Sequence, residues 1–155
     1  MNTYANLWNE ISSDICSKYN VPHSYFFEKE QLGRSDVLIA RNHAYLILML
    51  ELVLQEHRDK YSLPFEKLSG SAALHHKIFL KTKWIPQVIR DLCYEDCLFV
   101  LLEDLRPENL SAEAQSFLKN IEAQKFVFEP NKPLLEGWTP EKYELQVKHL
   151  AQNIR

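Results

Sequence analysis

Glycine is scarce. Gly33, Gly70 and Gly137 are the only three in 155 residues, against about 7% of an average chain. So few permissive residues leave little material for tight hairpin turns, and helices are expected over sheet. The motifs that need glycine are missing as well: there is no Gly-rich phosphate loop and no Gly-x-Ser-x-Gly elbow. A papain-like cysteine motif is also lacking. Cys16, Cys93 and Cys97 make an odd number, which predicts free thiols in a reducing cytosol rather than a disulfide framework. The opening "MNTYANLWNE" has no basic region followed by an apolar core, which predicts no secretory leader. The longest apolar run, "AYLILML" at 44–50, falls far short of the ~20 residues of a spanning helix, which predicts no membrane insertion. Charge of one sign is lacking too: the net charge of −3 gives no general attraction to nucleic acid or to a membrane surface.

What is present reads as one helical domain, 1–155. The composition, 46% hydrophobic and 25% charged, is that of a globular chain long enough to bury its own core. Leu7, Trp8, Ile11, Ile15 and Tyr19 recur at helical spacing and predict an amphipathic helix over 5–19, ended by Asn20 and Pro22. After "SYFFEKEQLG", Ser35 is the expected N-cap of a long helix over 36–58. Its middle is apolar on every face, so it is the expected central helix, turning polar at "QEHRDK". Pro64 suits the first turn of a further helix, with Gly70 as a weak point or a turn. Pro86 in "FLKTKWIPQVIRDL" is expected to start a helix rather than break one, since its missing donor would be unpaired at a first helical position anyway. One helix therefore ends near Lys83 and another begins near Pro86, burying Val88, Ile89, Leu92, Cys93, Leu98, Phe99 and Leu102 until Pro107 stops it. Ser111 caps a helix running to about Gln124, and Thr139-Pro140-Glu141 starts a last one over 140–153. The segment near 126–130 is the one short extended stretch expected.

Several constellations invite chemistry. His75, His76, Cys93 and Cys97 have ligand character, but adjacent histidines diverge by about 100° on a helix, and two buried thiols on one helix face are the plainer reading. Arg41 and His43 suggest a helical nuclease, yet positions two apart face different ways. His57, Arg58 and Asp59 mark the polar end of the long helix. The clearest charge feature is a run from Ser71 to Arg90 with four cations (Lys77, Lys81, Lys83, Arg90) and no acid. The next run, Asp91 to Glu108, carries six acids and one arginine. Residues 64–82 loosely suggest a helix-turn-helix DNA-binding regulator with Gly70 at its turn. Against it, the chain is acidic overall, and residues 72–82 offer no Arg, Asn or Gln for base edges. The other readings are a solvated cationic face and a face complementary to an acidic protein partner. Trp84 and Ile85 are expected to plug the corner between two helices, with an interface anchor as the alternative.

Two blocks resemble the small accessory proteins of the type III secretion sorting platform, the SctK family (OrgA, MxiK and YscK types). "VPHSYFFEKEQL", Val21 to Leu32, is similar to the family's Pro-x-x-Tyr-Ile/Phe stretch, which precedes a Leu and then a long helix. "FLKTKWIPQVIRDLCYEDCL", Phe79 to Leu98, looks like the family's Trp-x-x-Leu-Pro-x-Val segment, with Trp84 and Pro86 one residue closer than in some members. "LSAEAQSFL" is similar to the next helix of the family. The likeness spans roughly 20–120 and is not recognisable over the first helix or the last thirty residues. It implies a cytoplasmic, mostly helical, non-enzymatic adaptor in protein transport and bacterial virulence. Such an adaptor links the pod protein SctQ, with SctL, to the inner-membrane ring protein SctD. It would lie at the inner membrane through protein partners only, with no cofactor, metal, small-molecule substrate or nucleic acid. The candidate docking residues are Lys77, Lys81, Lys83, Trp84, Ile85, Pro86 and Arg90.

Overall fold

The computed structural model describes residues 3–121 and 129–152. Among them there are seven α-helices and no strand, an all-α architecture. The helices are α1 (Thr3–Tyr19), α2 (Ser35–Tyr61), α3 (Ser71–Thr82), α4 (Pro86–Arg90), α5 (Tyr94–Val100), α6 (Ala112–Asn120) and α7 (Glu144–Gln152). Short 3-10 turns lie at His23–Phe26, Gln31–Gly33, Leu102–Asp104 and Pro107–Asn109. The expected strand over 126–130 falls largely outside the described residues, as do the predicted ends at Gln124 and residue 153.

The central helix is α2, and α1, α3 and α7 pack against it. Its apolar residues surround the axis, so it is buried along most of its length, from Val37 and Ala40 through Ile47 and Leu48 to Leu54. Leu7 and Ile11 of α1, Leu74 and Ile78 of α3, Leu118 of α6 and Val147 of α7 complete one continuous core. At 27 residues α2 is long and apolar enough, by composition, to cross a membrane, which the short uninterrupted run did not predict. Most of that stretch is covered by the rest of the domain.

Local chemistry accounts for several boundaries. Asn20 ends α1 at φ 52°, a left-handed conformation that asparagine tolerates. Ser111 accepts from the Ala114 amide at 3.3 Å and caps α6. The helix ends at Asn120. Ser35 is not a cap. It is the first residue of α2, and Asp36 serves the terminus instead, accepting from the Val37 amide at 2.9 Å while Arg34 holds its other oxygen at 2.8 Å.

Three expectations are corrected. First, residues 62–69 are not helical: Leu63 and Glu66 exchange backbone bonds across a tight turn, and Ser62 Oγ accepts from the Leu68 amide at 2.9 Å. The first helix of a helix-turn-helix over 64–82 is therefore not formed. Second, α7 starts at Glu144 rather than at Pro140, because the Pro140 carbonyl is turned toward Arg58 and residues 140–143 form turns. Third, the helix expected after Pro86 breaks between Arg90 and Tyr94. The polar end of α2 is present as expected, but part of it is interior: Gln55, His57 and Arg58 are buried, whereas Asp59 and Lys60 are exposed.

Arg58 explains the burial. Its guanidinium donates to the Leu68 carbonyl at 3.2 Å, to the Pro140 carbonyl at 3.4 Å and to Gln55 Oε1 at 3.4 Å, and it pairs with Glu144 at 3.5 Å. Glu144 Oε1 in turn accepts from the Gly70 amide at 3.1 Å, and Glu141 accepts from the Ser71 amide at 3.3 Å. Two carboxylates from the C-terminal segment thus face the N-terminus of α3, where the helix dipole favours them. Gly70 is required there. Its φ is 57°, and a Cβ would stand 2.4 Å from Glu141 Oε1.

Replacing Arg58 with Ala leaves two carbonyls unpaired in the interior and removes the buried cation beside Glu144, which keeps Lys148 at 3.6 Å and the Gly70 amide. It should cost about 3–5 kcal/mol, read as a lower urea midpoint. Glu51 lies deeper in the same region. It accepts from Trp138 Nε1 at 2.8 Å, and no donor among the described residues reaches its second oxygen. Burial pushes its carboxyl up to about 7, against the opposing pull of Trp138 and Arg58, while Glu144 adds to the rise. The folded chain therefore keeps a proton that the unfolded chain releases from about 4.5 upward. That stabilisation is full below about 4.5 and is lost as pH rises to about 7. Between pH 5 and 8 the wild type should lose on the order of 1–3 kcal/mol relative to Glu51→Gln, measured by urea unfolding at both pH values.

Candidate functional site

The corner between α3 and α4 is built by short-range chemistry. Thr82 Oγ1 donates to the Ile78 carbonyl at 2.9 Å and accepts from the Trp84 amide at 3.2 Å. Lys83 closes α3 in the left-handed region, φ 59°, with its amide bonded to the Phe79 carbonyl at 2.8 Å. Ile85 is extended, and Pro86 opens α4 as its first residue.

The plug reading of this corner is corrected. Trp84 is 44% exposed, Ile85 71% and Val88 50%, whereas Ile89 is buried. With only five residues, α4 turns a single large side chain inward. The break after Arg90 re-aims the side chains beyond it: Leu98 is buried and Leu92 half-buried, but Cys93, Phe99 and Leu102 face outward. Cys93 is the residue before α5, and Cys97 lies within it. One thiol is exposed and the other buried, so the two share no face. No cluster of three or more potential metal ligands occurs among the described residues.

The cationic run does not form one face. Lys81 bonds Glu103 and reaches Asp104 at 3.0 Å, so part of the basic run is neutralised by the acidic run after it. Lys77, on α3, lines a cleft that Arg90, the last residue of α4, does not line. Burial first and Arg90 second lower the proton affinity of His75. Burial first, then Lys77, His76, Lys60 and Arg58, push His57 down to about 4. Positions 75 and 77 are some 200° apart on a helix, so His75 and Lys77 face different ways. Lys83 rests its ammonium 5.4 Å from the Phe79 ring centroid. Arg90 donates to Gln87 Oε1 at 3.0 Å, and Gln87 donates to Asp91 at 3.0 Å.

Two surfaces result. The corner carries Lys83, Trp84, Ile85, Pro86, Val88 and Arg90. A cleft of about 410 Å³, between the last turns of α2, the middle of α3 and residues 103–109, carries Lys77 and Lys81 together with His57 and Lys60. His57 Nε2 and His76 Nδ1 share a hydrogen bond of 2.9 Å at its edge. Sequence reasoning missed this cleft because "QEHRDK" reads as solvated helix, and the His57–His76 pairing spans a connection that is not helical. Arg41 and His43 serve packing. Arg41 donates to the Ile121 carbonyl at 2.7 Å, and His43 bonds Tyr19 at 2.9 Å and the Leu134 carbonyl at 2.8 Å.

No family model matches the chain, and no curated protein or solved structure matches it either. The likeness to the SctK family stands on the quoted blocks alone.

The split between exposed corner and buried anchor has a direct test in stability. Ile85→Ala and Val88→Ala should leave the urea unfolding free energy within about 0.5 kcal/mol of wild type. Ile89→Ala, one residue along, should cost about 2–5 kcal/mol.

Proposed function

We propose that this chain is an adaptor that acts by docking other proteins through the α3–α4 corner, and that its setting is the sorting platform of a type III secretion system. The observation that carries the docking reading is the exposure of Trp84, Ile85 and Val88 together on a rigid, proline-started turn. Scattered single apolar residues are normal on a surface, but neighbouring large ones rimmed by polar groups mark interaction sites. Tryptophan is enriched among the residues that dominate binding energy. Lys83 and Arg90 flank the corner without a carboxylate partner among the described residues, which suits a partner surface with acidic groups around an apolar centre.

The platform setting is suggested by the resemblance at 21–32 and 79–98, the second of which contains the corner itself. On this reading the protein is non-enzymatic and cytoplasmic. It bridges SctQ and SctL to the ring protein SctD and meets the inner membrane only through them. Arg41 and His43, the pair that suggested a nuclease, are occupied in holding α2 to Tyr19 and to the carbonyls of Ile121 and Leu134.

A tagged protein recovered from cells that express a type III apparatus, with quantitative mass spectrometry, tests both parts. SctQ, SctL or SctD homologues should co-purify with the wild type. Trp84→Ala with Ile85→Asp should reduce that recovery about tenfold, equivalent to about 1.4 kcal/mol, with helicity by circular dichroism unchanged. Co-purification that ignores the corner substitutions would end the docking assignment, and recovery of none of these proteins would end the platform assignment.

A further inference from the structure

A second apolar group is exposed beyond the corner. Phe99 is 75% exposed and Leu102 51%. With the exposed Asp96 they recur every third residue through α5 and the turn after it, so they fall on one side. The stretch that carries them, Asp91 to Glu108, holds six acids and one cation of its own, Arg106. Lys81 reaches in to Glu103 and Asp104, and the balance stays negative. Asp96 pairs with no cation among the described residues. The corner has the opposite character. Trp84, Ile85 and Val88 are exposed between Lys83 and Arg90, which pair with no carboxylate among the described residues. The two surfaces adjoin, because α3 packs against both α4 and α5. Lys81, in the last turn of α3, holds residues 103–104 beside that turn.

We propose that the corner of one copy docks on the α5 face of a second copy, as a reciprocal two-fold dimer. Trp84, Ile85 and Val88 of each copy meet Phe99 and Leu102 of the other, and Lys83 and Arg90 lie opposite the acidic stretch. The inference rests on the corner as a docking surface and not on the secretion setting. An apolar centre with a charged rim is the anatomy of a protein interface, and the acidic partner surface that the corner fits is present on the chain itself. Charges left unpaired within one copy are paired between two. Because the surfaces adjoin, the rotation that brings a corner onto the partner's α5 also brings the partner's corner onto this α5, and the assembly closes at two copies. Such a dimer covers the corner, so any other protein that docks there must displace the second copy.

The test is sedimentation velocity of the intact chain at low ionic strength, from about 5 to 500 μM, the range of a weak, transient interface. The wild type should pass from monomer to dimer. Ile85→Asp and Phe99→Asp, each with unchanged circular dichroism, should raise the dissociation constant about tenfold or more. Arg90→Glu and Asp96→Lys should each weaken the dimer. An equimolar mixture of those two variants should dimerise more strongly than either alone, since the reversed charges then face each other across the interface. A chain that stays monomeric throughout would overturn the self-docking and leave the corner to the co-purification test. A dimer weakened by Ile85→Asp but not by Phe99→Asp would keep the corner as a docking surface and overturn its α5 counterpart. A dimer indifferent to Ile85→Asp, or a mixture no stronger than its components, would overturn the arrangement.

Discussion

One buried guanidinium holds three parts of the chain in register. Arg58 lies in the last turn of α2, and it is turned inward at the point where most helices present their last polar residues to water. It binds a carbonyl of the 62–69 loop, a carbonyl of the C-terminal segment and the Glu144 carboxylate. An isolated buried charge is prohibitive, so such a group persists only where its partners are supplied together. That condition fixes the surroundings. The loop must bring Leu68 to it, Gly70 must adopt its positive φ, and Glu144 must serve both Arg58 and the first turn of α3. The start of α3, and with it the direction in which α3 runs toward the corner, is set by this arrangement.

The charge pattern gains its meaning only in the folded chain. In sequence, a cationic stretch precedes an acidic one, and the obvious inference is a dipolar surface offered to partners. In the structure the acidic stretch turns back, and Glu103 and Asp104 neutralise Lys81. An exposed pair of this kind contributes little to stability. Its larger consequence is subtraction. It removes one lysine from any docking face and leaves Lys77 and Lys60 as the unpaired cations of the cleft, and Lys83 and Arg90 as those of the corner.

The features legible in the sequence were those that short-range chemistry decides. The all-α architecture was implied by scarce glycine and helical periodicity. The turn at Lys83 to Pro86 was marked by the proline, and the Ser111 cap by its side chain, because each signal acts within four residues. The misreadings share a different origin. "VIRDLCYEDCLFVLLEDL" keeps apolar residues near helical spacing and contains neither glycine nor proline. Its break at 91–93 therefore carries no local mark, and the exposure of Val88, Phe99 and Leu102 was hidden with it. Thr139-Pro140-Glu141 has every local sign of a helix start, yet Arg58, 82 positions away, takes the Pro140 carbonyl. The same guanidinium is one of three polar side chains of that helix end, with Gln55 and His57, that are buried while Asp59 and Lys60 stay exposed. For the candidate site, the corner was visible as residues but misjudged in burial, and the cleft was not visible because His57 and His76 meet only after a non-helical connection.

The corner and the cleft both depend on α3, and this bears on how they relate. Transmission between two sites needs an element with two arrangements that both sites bias. Helix α3 is fixed at its first turn by Glu141 and Glu144, along its length by Leu74 and Ile78 in the core, and at its last turn by the left-handed Lys83. Nothing in those contacts offers a second arrangement. Lys77 lines the cleft, whereas Arg90 belongs to α4 and bonds Gln87 within it. The geometry therefore favours two separate surfaces on one rigid support, the cleft and the corner that presents Trp84 and Ile85. A protein that positions other proteins benefits from such rigidity, since a preorganised anchor loses less conformational entropy when it docks.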